Sequence, residues 1–178
     1  SNDSSARPWF VSIVFKSDRH NSNQHIWNYG EGTGSNDDNI YLRHDSNGNL
    51  YFGWGRDGAR NECFLTGGIN TSTWYGVYIA SKGTRLSGGN ASAINLTNAF
   101  DIEIMSSADG FTGLTGGNIS SNWTSTGGRM DRGFAGTFSI GGRGANRSFH
   151  GKIAACVVST MKRNVALPND TEKKLIIT

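Results

Sequence analysis

Apolar and polar residues alternate in short runs along most of this chain, and no long helical periodicity accompanies them. Within residues 9–16, Trp9, Val11, Ile13 and Phe15 fall on one side, the period-two pattern of a strand buried at least on that face. Residues 18–24 are polar and read as a loop, and residues 25–29 as a second strand, ended by a glycine-rich stretch over 30–38. The clearest pairing signal follows, with Ile40 to His44, then Asp45-Ser46-Asn47-Gly48, then Asn49 to Trp54. Asn-Gly favours the positive φ angles of a tight hairpin turn. Alternation then places Ile40 and Leu42 on a common buried side with Leu50, Phe52 and Trp54. Further strands are predicted over 62–65, 74–80, 100–105, 137–140 and 153–158, while residues 106–136, rich in Gly, Ser, Thr and Asn, read as long loops on one rim. Only the end is helical: Pro168 precedes Asn169, which stands three residues ahead of Glu172 as in a capping box. The pattern predicts an all-β chain, an antiparallel sandwich or barrel with one short C-terminal helix.

Composition agrees with many short strands joined by tight turns. The chain has 178 residues with 25 glycines, 2 prolines and 17% charged residues, below the ~25% usual for soluble domains. A chain of this length buries about 70% of its unfolded surface, enough for one core without staples. We therefore assign residues 9–178 to a single domain and residues 1–8 to a tail or linker. No apolar run approaches the ~20 residues of a membrane span, so membrane insertion is not expected. No signal peptide is visible and the chain does not begin with Met, which leads us to expect a processed product or a domain cut from a longer protein.

Charge is unevenly spread. Residues 126–178 hold nine Lys/Arg against three Asp/Glu, although the whole chain carries only +3. Such a balance suits an acidic ligand, or simply a solvated surface, because few of these basic residues are consecutive; nucleic acid is not expected as a partner. Cys63 and Cys156 both fall in strand-like runs, and a disulfide in an exported chain and two buried thiols are both open readings. Neither has the spacing of a structural zinc site.

The segment from Thr137 to Glu172 carries a more specific signal. Ile140-Gly141-Gly142-Arg143 leads to Ser148-Phe149-His150-Gly151-Lys152-Ile153, and the segment closes on Leu167-Pro168-Asn169-Asp170-Thr171-Glu172. This order resembles the last third of laminin G-like domains, which belong to the concanavalin A-like lectin/glucanase jelly rolls. The opening strand and the Asn47-Gly48 hairpin are similar too, whereas residues 74–83 lack the family's Tyr-x-Asp-Gly turn. The resemblance implies a jelly-roll sandwich in which the glycines form a corner, Phe149 plugs the sandwich edge and Ile153 returns the chain to the core.

Laminarinase-type hydrolases of this superfamily carry Glu-x-Asp-x-Glu on one strand. Asp101 and Glu103 match by position, but Ala99 stands where the nucleophile belongs. Retaining hydrolysis needs two carboxylates with separate roles, so the expectation is that the chain is not an enzyme. No nucleophile elbow accompanies His20, His25, His44 or His150, most of which sit beside loops and read as surface residues. Gly141-Gly142-Arg143-Gly144 lacks the Lys-Ser/Thr and helix of a phosphate loop. Asp37, Asp38 and Asn39, with Asp45, Asp57 or Asp109, offer hard oxygen ligands, and calcium is the one candidate cofactor. For glycan stacking the candidates are Trp123 beside Asn122, and Trp27 with Tyr29; Trp9, Trp54 and Trp74 are assigned to the core. Arg129, Arg132, Arg143 and Arg147 form a candidate basic rim. The expected function is a non-catalytic recognition or assembly module, extracellular, at a cell surface or on a virion. It would bind a glycan or another protein of a surface assembly, or serve as a structural decoration domain of a larger particle such as a bacteriophage.

Overall fold

Eleven strands in two antiparallel sheets and one helix are present among the residues described by the structure, a computed structural model covering 8–30, 39–56, 59–82, 100–112, 115–116, 123–125, 137–142, 147–161 and 166–177. The strands are β1 (Trp9–Ser17), β2 (Gln24–Gly30), β3 (Asn39–His44), β4 (Leu50–Arg56), β5 (Ala59–Thr66), β6 (Tyr75–Ser81), β7 (Phe100–Ser106), β8 (Thr115–Gly116), β9 (Trp123–Ser125), β10 (Thr137–Ile140) and β11 (Gly151–Thr160), and the helix is α1 (Asp170–Ile177). The five-stranded sheet runs β11-β1-β6-β7-β8 and the six-stranded sheet β10-β2-β3-β4-β5-β9. This is the all-β sandwich with a short C-terminal helix that the alternation predicts. The short strands β8 and β9 fall inside the stretch assigned to loops; at two and three residues they are too brief to show a period.

The main core lies between the sheets. Trp9, Val11, Ile13 and Phe15 of β1 meet Trp27, Leu42, Leu50, Phe52 and Cys63 of the larger sheet, with Val77, Ile79, Ile102 and Ile104 beside them. Trp54 was assigned to this side, and its side chain lies outside the described ones. Trp74 is only partly buried, with the Lys16 ammonium over its ring at 5.7 Å.

A second core occupies the outer face of the smaller sheet. Phe10, Tyr78, Ala80 and Met105 pack there against Ile177 of α1. The first strand is therefore buried on both faces, not only on the one the alternation marks. A Cβ on Gly76 would run into the Ile177 side chain, so glycine at this point of β6 lets the helix approach. The helix begins as its sequence predicts. Asn169 Oδ1 accepts from the amides of Thr171 and Glu172, and the Asn169 amide donates to Glu172 Oε2 at 2.8 Å.

The glycine corner has the anticipated physical basis. Gly141 adopts φ +82°, its amide donates to Ile26, and its carbonyl accepts from Phe149 at 2.8 Å. A Cβ on Gly151 would meet the Lys16 carbonyl and the Phe149 ring. Phe149 sits edge-on to Phe15, with centroids 5.8 Å apart.

The β3–β4 turn departs from the expectation. Gly48 alone has positive φ, at +74°, and its amide donates to the Asp45 carbonyl across Ser46 and Asn47. The Asp45 carboxylate accepts from the amides of Asn47 and Asn49, each at 2.9 Å, which favours a turn closed by one left-handed glycine over a two-residue turn. The histidines also depart. His25 and His44 are fully buried, His20 is half-buried, and only His150 is exposed. Both cysteines are free thiols, on β5 and β11, and burial pushes the Cys63 thiol up to about 12.

Candidate functional site

Residues of β2 to β5 that alternate with the core positions gather on the outer face of the six-stranded sheet. In register across three strands stand Tyr41, Gly53 and Glu62. Gly53 is where the Tyr41 ring lies: a Cβ there would be 2.5 Å from Tyr41 Cζ. Freed of that obstacle, the phenol crosses β4 and donates to Glu62 Oε1 at 2.9 Å.

The neighbouring row is Arg43, Tyr51 and Phe64. Arg43 grips Glu62 with two parallel bonds, Nε to Oε1 at 2.6 Å and Nη2 to Oε2 at 2.7 Å. Its third arm donates to Oδ1 of the exposed Asn23 at 2.8 Å. Burial alone would lower the Arg43 guanidinium, but the hydrogen bonds and charge of Glu62 carry it above its ordinary value. Arg43 also lies over the Tyr51 ring, 4.4 Å from the centroid, and Phe64 meets that ring edge-on at 5.8 Å. Tyr51 and Phe64 are both partly exposed. The Tyr51 hydroxyl donates to Asp45 Oδ2, and burial, with the Asp45 charge, raises the phenol. Further along the face, Asn28 Nδ2 donates to Asn39 Oδ1 at 3.2 Å, while Asn28 Oδ1 is buried without a partner.

Tyr41, Arg43, Asn28 and Asn39 are buried within this face, whereas Tyr51 and Phe64 are partly exposed and Asn23 is exposed. The accessible part offers ring area beside one amide over an internally neutralised ion pair, and so presents little net charge.

The sequence-derived candidates are distributed differently. Trp27 was expected at the surface, but it is only 1% exposed, stacked on Phe138 at 5.8 Å and placed opposite the core residue Leu42. A register shift between His25 and Trp27 turns both Ile26 and Trp27 into the core. Tyr29 is brought next to it on the same inner side, packed against the core, and burial raises its phenol. Trp123 is in β9, opposite Cys63 in register; its side chain, and all of Asn122, Arg129, Arg132 and Arg143, lie outside the described residues. Arg147 is exposed, ahead of Phe149.

Of the proposed calcium ligands, Asp37, Asp38 and Asp57 lie outside the described residues, and Asn39 is buried and bonded to Asn28. Asp45 is committed to its turn, and Asp109 caps a 3₁₀ turn at Ser107–Asp109 by accepting from the Phe111 amide. Among the described residues no group of three His, Cys, Asp or Glu is placed to hold a metal. Asp101 and Glu103 face the helix, where Lys173 Nζ lies 2.7 Å from Asp101 Oδ2 and 3.7 Å from Glu103 Oε1.

The residues that assemble the outer face, Asn23, Tyr41, Arg43, Tyr51, Glu62 and Phe64, were not singled out from the sequence. The signal was present, because most of them are the polar or aromatic alternates of the strands whose apolar partners were read as core.

No family model matches the chain, and no curated protein matches it in sequence. Solved structures do match in shape. A CBM40 of the Ruminococcus gnavus IT-sialidase, bound to α2,3-sialyllactose, superposes with TM-score 0.51 at 12% identity, covering 97% of this chain and 84% of its own. The LG1–3 region of the laminin α2 chain gives TM-score 0.51 at 13% identity over 89% of this chain and 29% of that one. A heptameric SAP-like pentraxin from Limulus polyphemus gives 0.43 at 16% identity over 86% and 64% respectively. The chain thus spans under two thirds of the laminin and pentraxin chains. The chain therefore shares a two-sheet β-sandwich fold with the CBM40 and with the laminin LG region, the kind of scaffold that the Thr137–Glu172 segment resembles.

Proposed function

We propose that this chain is a non-catalytic glycan-binding or adhesive module that works outside the cytoplasm. The observation that carries the reading is the outer face of the six-stranded sheet, where Tyr51 and Phe64 are partly exposed beside Asn23 and the Arg43–Glu62 pair. Sugars present flat C–H faces and a ring of hydroxyls, and this face supplies the partly exposed rings of Tyr51 and Phe64 with the exposed Asn23 amide beside them. Likeness of fold to a sialyllactose-bound CBM40 and to laminin LG domains supports the same class. Strand β9 pairs with β5 in the same sheet, with Thr124 opposite Glu62 in register. Asp101 and Glu103 are engaged by Lys173, so no catalytic role is assigned to them. Among the described residues no helix is long and apolar enough to cross a membrane.

A glycan array tests this directly. The native chain is expected to bind a defined set of oligosaccharides, and Tyr51→Ala or Phe64→Ala to abolish the signal while Ile140→Ser, on the far edge of the sheet, leaves it intact. Absence of binding to every glycan, with stable incorporation into a purified particle, would instead establish the decoration-domain reading. Release of reducing ends from a β-glucan would refute the non-catalytic assignment.

A further inference from the structure

The cation beside Tyr51 and Phe64 is already paired. Arg43 is buried, with Nε and Nη2 on the Glu62 carboxylate at 2.6 and 2.7 Å and Nη1 on Asn23 Oδ1 at 2.8 Å. The nearest carboxylate to the Tyr51 hydroxyl, Asp45, is partly exposed. Burial alone would raise the Asp45 carboxyl, but hydrogen bonds from Asn49, Asn47 and Tyr51 hold it below its ordinary value, so it stays charged. We propose that the glycan taken by this face is uncharged, and that the patch of Tyr51, Phe64 and Asn23 discriminates against sialylated and sulfated sugars. This rests on the glycan reading above and narrows it to a ligand class.

Three observations lead there. A carboxylate or sulfate on a sugar gains most from a guanidinium that offers two parallel N–H groups, and Glu62 occupies that fork. Drawing Arg43 away would leave the largely buried Glu62 unpaired, which is strongly unfavourable. Asp45 is the second. Its Oδ2 lies 3.2 Å from the Tyr51 hydroxyl, so an anion set against that ring meets a like charge. The third is the orientation of Asn23. A guanidinium only donates, so the amide oxygen has to face Arg43, and the two N–H groups of this exposed amide are left to a ligand. A hydroxyl or acetamido oxygen of a neutral sugar accepts from them without bringing charge. Arg19, in the same loop as Asn23, is bonded to the His150 ring.

An array that carries each neutral oligosaccharide beside its sialylated and sulfated forms tests this on the native chain. Neutral members are expected to bind, their charged partners at least about tenfold more weakly. Added salt should leave the neutral signal unchanged, because no ion pair to the ligand is formed. Asn23→Asp keeps an acceptor for Arg43 but removes the N–H donors, and is expected to weaken the neutral ligands about tenfold. Glu62→Gln leaves Arg43 without its counter-charge, and is expected to raise the charged members relative to the neutral ones.

Charged glycans that bind as well as their neutral partners, or better, overturn the proposal on the native chain alone, whether or not either variant folds. Undiminished binding by Asn23→Asp removes Asn23 from the site. A ratio unmoved by Glu62→Gln overturns the part given to the Arg43–Glu62 pair. Silence across the whole array is a different result, because it refutes the glycan reading itself and this narrowing with it.

Discussion

Gly53 organises the outer face of the larger sheet because, without a side chain there, β4 can lie beneath the Tyr41 ring. Gly53→Ala sets a methyl 2.5 Å from Tyr41 Cζ, so the ring must lift and release Glu62. We expect a loss of about 1–3 kcal/mol in urea denaturation, and most of it should disappear in the Tyr41→Ala background, where nothing overlies the strand. Equal losses in both backgrounds would assign the cost to β4 itself. His44 supports a second prediction. It is buried against His20, Ser17, Phe149 and the Asp45 carbonyl, with the Arg43 charge also near, and burial holds its imidazole below the ordinary value; His20 is lowered for the same reason. The folded chain therefore takes up fewer protons than the unfolded chain once pH falls below about 6.5. Stability is fully present above that pH and is lost as pH falls toward the folded-state values. Denaturation midpoints between pH 7.5 and 5.5 should fall in the native chain and fall less in His44→Gln; parallel slopes would remove His44 as the cause. These residues show where sequence reading stopped. Alternation distinguished the inner from the outer residues of β3 and β4. It could not say that Tyr41, Arg43 and Glu62 would find one another, because that depends on the register of three strands. The shift at Ile26 likewise has no local signature, so Trp27 looked as if it belonged at the surface.

At the scale of elements, the helix α1 is held by Ile177 in the second core and by the cation of Lys173. Lys173 is buried, with Asp101, Glu103 and Asp170 around its ammonium and Tyr78 beneath it at 5.8 Å. Burial raises the Glu103 carboxyl and Lys173 opposes that shift. Lys173→Ala removes a positive partner from two largely buried carboxylates, and breaking such a pair from one side costs about 3 kcal/mol. Asn169→Ala removes only the cap, worth about 1 kcal/mol. Hydrogen exchange should accordingly show amides of 170–177 deprotected strongly in the first variant and modestly in the second, with the β3–β4 hairpin unchanged in both. Deprotection of both regions together would mean that helix and sandwich unfold as one unit. The start of this helix was legible because a capping box is a local pattern within four residues. Its berth was not, since Gly76, Asp101 and Glu103 lie far away in sequence and their strand periodicity carries no mark of a helix above. The same carboxylates looked like the remnant of a catalytic strand for that reason.

The whole molecule leaves one long strand poorly defended. Strand β11 runs ten residues along the edge of its sheet, and Lys152 is its only charge. Val157, opposite Ser12, is 42% exposed, between neighbours that are themselves exposed or half-buried. An unpaired edge with apolar side chains is a template for another strand, and proteins that stay monomeric usually place charge, proline or a bulge there. The register shift between Val14 and Phe15 lies near the Gly151 end and leaves the stretch from Cys156 to Thr160 regular. Two copies meeting edge to edge along that stretch would extend the five-stranded sheet across both molecules and shield Val157 in each. Sedimentation should therefore show association that increases with concentration. Val157→Lys places a cation at the middle of the edge, opposing its own copy across the symmetry axis, and should shift the equilibrium to monomer without lowering the melting temperature. A native chain that stays monomeric at millimolar concentration, or a Val157→Lys chain that associates equally well, would show that this edge is not where copies meet.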